Sequence, residues 1–117
     1  MLDKQMIQAL NEQIAMEGYA SFLYLSMAGW FDTKSMKGCA AFMYRQSAEE
    51  HMHMMKIYHY LIEMDAVSIS PAITQPPSEF TSVKAIFEET LAQEQRVTAS
   101  IGKLVELAIS QSDHSTY

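Results

Sequence analysis

Three observations predict an all-α fold, a bundle of long helices with one long crossover. All three prolines fall between Pro71 and Pro77, so the segments on either side carry no helix breaker. Apolar residues in both segments recur every three or four positions, the period of one helix face. The two connections between helices differ greatly in length, and that difference sets the topology.

The first helix is predicted from about Lys4 to Thr33, the second from Met36 to Met64, and the third from Val83 to Ser110. Each has about 28 residues, against the ~11–12 of a usual globular helix, and such lengths belong to bundles. Only a few residues around Lys34 and Ser35 join the first two, which must therefore lie antiparallel. Asp65 to Ser82 joins the second to the third and contains all the prolines. A helix of this length measures roughly 42 Å at ~1.5 Å per residue. An extended linker of this size reaches about 55–60 Å. It can cross the whole bundle and start the third helix at the end where the second starts.

The 117 residues fit one domain, residues 1–117, with room for a single core. Hydrophobic residues make up 49% and charged residues 19%, a globular rather than a disordered balance. No basic stretch leads into an apolar run at Met1–Lys4, and Ala20–Phe31 is too short to span a bilayer. With Cys39 as the only cysteine, an internal disulfide is excluded, which favours a cytoplasmic location. The formal charge of −6 argues against nucleic-acid binding. Ten methionines are many for this length, and flexible core filling accounts for them better than haem or copper binding. Ser112 and Asp113 would cap a further helix, but the sequence stops at Tyr117. A chain ending before a fourth helix is the expectation.

The inward stripes carry the chemistry. They run Leu10–Ile14–Glu17–Ser21–Tyr24–Ala28–Phe31, then Cys39–Met43–Gln46–Glu50–His53–Ile57–Tyr60–Met64, then Phe87–Leu91–Glu94–Thr98–Ile101–Val105–Ala108. A glutamate interrupts each apolar stripe about 12–14 residues from the helix start, so the three share one level within ~3 Å. Alone, a glutamate on such a stripe is ordinarily a solvated edge position. Three at one depth, with no lysine or arginine on the stripes, repel one another unless a multivalent cation lies between them. His53, one turn after Glu50, points the same way, and two helices giving Glu with a third giving Glu-x-x-His is a dinuclear carboxylate pattern. Oxygen and imidazole donors together suit iron, manganese or zinc. Glu49 sits at the rim, either a further ligand or a solvated charge. Tyr24 shares a face with Glu17 and needs a hydrogen-bond partner. His51 and His59 read as surface residues, His114 lies in the tail, and Cys39 reads as packing.

These residues resemble those of the bacterial non-haem ferritins, over the whole of Leu2–Tyr117. The matching stretches are Asn11-Glu12-Gln13 leading to Glu17 and Tyr24, the run from Gln46 to His53, and Glu94-Gln95. The resemblance implies a di-iron ferroxidase centre. Glu17 and His53 would bind a first iron, Glu50 would bridge, and Glu94 would bind a second. Glu49 would reach a third site, and Tyr24 would hydrogen-bond the centre and could supply an electron. Ferrous iron would be oxidised with dioxygen or peroxide and stored as ferric mineral in a homo-oligomeric shell of about 24 subunits. The family's fourth helix, with further ligands, has no counterpart in these residues, which leaves the second and third sites short of ligands and an apolar stripe uncovered. The haem-binding relatives carry a methionine directly after the bridging glutamate. His51 stands there, so no haem is expected. Three other readings stay open. One is another di-iron carboxylate enzyme, though a rubrerythrin-like one generally has Cys-x-x-Cys pairs that are absent here. Another is an assembly subunit without turnover, and the third is a plain bundle with its glutamates in water.

Overall fold

The computed structural model describes residues 1–111. Among them run three helices and no strand: α1 Lys4–Thr33, α2 Lys37–Glu63 and α3 Val83–Ser110. The capping expectation at Ser112 and Asp113, and His114, lie outside the described residues.

Local chemistry explains the helix ends. Asp3 accepts the Met6 amide at 2.9 Å and Ser82 the Ala85 amide at 3.0 Å, each side chain satisfying a donor that the first turn leaves over. The C-terminal ends of α1 and α2 close through left-handed residues. Ser35 has φ 59° while the Met36 amide reaches back to the Phe31 carbonyl at 3.0 Å. Asp65 has φ 57° while the Ala66 amide reaches Leu61 at 2.9 Å. Both are helix-ending turns in which glycine usually stands.

The central element is α1, with one flanking helix on each side. It packs against α2 and against α3, and no Cα of α2 lies within 8 Å of one in α3. Pairings such as Ser21 with Ser47 set α1 antiparallel to α2. Those of Tyr24 with Glu94 and Gln13 with Ser100 set it antiparallel to α3. The crossover tracks along α1 between them. Asn11 accepts the Ile69 amide at 2.8 Å and donates to the Val67 carbonyl at 3.0 Å. Further along, Ile73 covers Gly18, Ser26 donates to the Pro77 carbonyl, and the Phe80 ring meets Trp30 edge-on at 6.4 Å. Thus α3 starts at the end where α2 starts.

The core falls into two apolar clusters. One, around Tyr24, Met27, Phe31, Met43 and Ile86, fills one end; the other, around Met6, Leu10, Ile14, Leu61 and Ala108, fills the opposite end. Between them lies a polar layer of Gln13, Glu17, Ser21, Glu50 and Gln93, all buried.

The face expected to pack inward on α3 needs correcting. Phe87, Leu91 and Ile101 are 40%, 61% and 44% exposed, while Ile86, Gln93, Val97 and Ala108 are the buried ones. Apolar residues populate two adjacent faces of this helix, and a 3.6-residue period fits either. The exposed face borders the groove beside α2, where the Phe87 ring lies 6.0 Å from Phe31 and 6.2 Å from Phe42.

Candidate metal centre

The polar layer places two glutamates where water does not reach. Glu17, at mid-length of α1, is 1% exposed, and Glu50, from α2, is 4% exposed. Their helices run antiparallel, so mid-length residues meet at one height. His53, one turn beyond Glu50, turns Nδ1 toward both, 3.5 Å from Glu50 Oε2 and 3.8 Å from Glu17 Oε2. One donor atom from each of the three residues lies within 4.8 Å of the others, and the imidazole keeps a face to solvent. Ions can enter past it.

Two oxygens in this layer are orphans. Among the described residues neither Glu17 Oε2 nor Glu50 Oε2 has a hydrogen-bond partner, although both are buried. An unsatisfied buried acceptor costs about 1–3 kcal/mol, more if charged. Burial pushes the Glu50 carboxyl up to about 9, helped by its hydrogen bond with Glu17 and by the charges of Glu17, Glu94 and Glu49. Without a cation Glu50 therefore keeps its proton at neutral pH. Glu17 Oε2, Glu50 Oε2 and His53 Nδ1 could together hold a divalent ion, which would replace that proton and satisfy both oxygens. The donor set fits a metal.

The other residues singled out from the sequence fall around this triad. Tyr24 is fully buried, and its hydroxyl donates to Glu94 Oε1 at 2.6 Å. Burial first, then that bond and the carboxylate charges, raise the phenol well above its ordinary range. Glu94 is half-buried on α3, near enough to act on Glu50 electrostatically, but it is not one of the three converging residues. Glu49 is exposed. His51 and His59 are exposed, and Cys39 packs against the apolar cluster at its end of the bundle. Among the α2 methionines Met43 is core, whereas Met52 is 57% exposed.

Sequence reasoning missed Gln13 and Ser100. Gln13 is 1% exposed and its Nε2 donates to Glu17 Oε1 at 3.0 Å. A neutral amide four residues before a glutamate shares its helix face, and that spacing was the available signal. Arg96, whose charge is felt at Tyr24, is held by Glu89 at 2.7 Å and by Gln93.

Known proteins share this arrangement of helices. The family of ferritin-like domains matches residues 7–117. A bacterial non-heme ferritin of Campylobacter jejuni is 40% identical over 117 residues, all of this chain and 70% of that protein. One from Staphylococcus saprophyticus is 40% identical over 116 residues, 99% of this chain and 70% of that protein. The open pore ferritin of Archaeoglobus fulgidus superposes with a TM-score of 0.96 at 40% identity, covering all of this chain and 72% of that one.

Proposed function

The chain belongs to the ferritin family, and we propose that it binds ferrous iron between Glu17, Glu50 and His53 and oxidises it for storage as ferric mineral. The observation that carries this reading is the pair of orphan carboxylate oxygens facing one imidazole in a dry layer. Iron is the substrate here. Glu17 and Glu50 supply charge and the imidazole supplies a nitrogen donor, a set that suits iron better than calcium. Glu94 lies beside the triad on α3 and would take part in a second position of a dinuclear centre. Two ferrous ions would then give one electron each to dioxygen, which takes up two protons and leaves as peroxide; peroxide would serve as oxidant in the same way and leave as water. Tyr24, hydrogen-bonded to Glu94, holds that carboxylate in place and is the residue suited to pass an electron. Glu49, at the rim, would meet arriving or departing iron.

The relatives' longer chains bear on activity, since the matched region is about 70% of their length. The uncovered face of Phe87, Leu91 and Ile101 favours association, and we take the chain to work as a cytoplasmic homo-oligomer. Among the described residues no helix is long and apolar enough to cross a membrane. The same face supports a second reading, an assembly subunit that packs without turnover. Anaerobic loading with ferrous iron followed by oxygen separates the two. Oxidation that Glu50→Ala abolishes supports the ferroxidase; a discrete oligomer that neither binds nor oxidises iron refutes it.

A further inference from the structure

Gln13 is a fully buried polar side chain that is not itself one of the three donors. Its two ends are both occupied, by Glu17 Oε1 on one side and by Ser100 Oγ at 2.5 Å on the other. Chemistry decides which end is which. The amide Nε2 donates to Glu17 Oε1 at 3.0 Å, as a carboxylate oxygen accepts. The carbonyl oxygen is then left for Ser100, whose hydroxyl has to donate. The direction Ser100 to Gln13 to Glu17 is therefore forced, and it links α3 to the candidate centre through α1.

Glu17 Oε1 is thereby committed, and Oε2 is left alone, facing the imidazole. We propose that Gln13, oriented by Ser100, is a positioning residue that makes Glu17 a one-oxygen ligand for a divalent cation. This rests on the reading of Glu17, Glu50 and His53 as a cation site. The gain is preorganisation. A free glutamate loses side-chain torsional freedom when it binds, whereas this one is already fixed in the binding geometry before the ion arrives. Partners of metal ligands commonly hold about 10-fold or more in affinity by this means.

The test uses cobalt(II) as the probe, titrated into the 117-residue chain and followed by its visible absorption bands. Gln13→Met keeps the length and removes both polar ends. It is expected to weaken cobalt binding about 10-fold and to change the band pattern, because the freed carboxylate can turn a second oxygen to the ion. Ser100→Ala, at a half-buried position, is expected to weaken binding less and to add nothing in the Gln13→Met background, since both act along one path. A merely structural role would instead lower thermal stability additively and leave the bands unchanged. If Gln13→Met fails to fold, the bands and affinity of Ser100→Ala decide alone. Wild-type affinity and spectrum in the folded variants, with binding lost in Glu17→Ala, overturns the relay and leaves the cation site standing. No cobalt binding by the wild type overturns both.

Discussion

Replacing Glu50 by glutamine should make the metal-free protein more stable at alkaline pH. In the folded chain the Glu50 proton is held up to about 9, while the unfolded chain releases it near the ordinary 4.5. Between those values the native state binds the extra proton, so stability falls as pH rises, by about 1.4 kcal/mol per pH unit. From about pH 6 to about pH 8 this amounts to about 3 kcal/mol. Glu50→Gln keeps the size and a donor toward Glu17 but has nothing to titrate. At about 4 °C per kcal/mol for a domain of this size, the wild type should lose about 10 °C of Tm relative to the variant over that interval. The assay is thermal unfolding by circular dichroism in a chelator, at several pH values. Saturating cobalt(II) should remove the wild-type decline, since the ion displaces the proton, and should leave the variant nearly unmoved. Parallel pH profiles for the two proteins would refute the claim that burial and the neighbouring carboxylates hold that proton.

Further substitutions probe the frame. Asn11→Ala removes both crossover hydrogen bonds and should cost about 1–2 kcal/mol in urea unfolding, with faster hydrogen exchange at the Ile69 amide. Ser35→Gly relieves a left-handed non-glycine residue and should raise stability by about 1 kcal/mol, read as a Tm gain of a few degrees. Gly29→Ala has free space for its methyl and should stabilise α1 by about 1 kcal/mol. At Gly18 the same change would set a methyl 2.9 Å from Ile73 and 3.1 Å from Met54, so the gain there should be smaller or reversed. Tyr24→Phe should leave cobalt affinity within about twofold while slowing iron oxidation in stopped-flow absorbance, because it frees Glu94 without touching the triad.

Helix number, order and bounds were legible because the prolines cluster in one connection and the helix periods run uninterrupted elsewhere. The stripe on α1 was legible too, since Leu10, Ile14, Glu17, Ser21, Tyr24, Ala28 and Phe31 are all buried. A central helix flanked on two sides leaves little ambiguity about which positions are inside. On α3 periodicity failed by one residue, because Ile86 and Phe87 are adjacent apolar choices and only the packing against α1 selects the first. Spacing and depth put Glu17, Glu50 and Glu94 at one level with His53 beside Glu50; the structure gathers Glu17, Glu50 and His53, while Glu94 accepts from Tyr24 and is not one of the three. The role of Gln13 was not legible, since its spacing from Glu17 shows only a shared helix face and its second partner lies 87 residues away.

Diffraction from crystals soaked anaerobically with ferrous iron, recorded at the iron absorption edge, tests the buried carboxylate pair most directly. An anomalous peak within bonding distance of Glu17 Oε2, Glu50 Oε2 and His53 Nδ1 is expected. Iron found only on exposed carboxylates such as Glu49, with the space between the two buried glutamates empty, would contradict it.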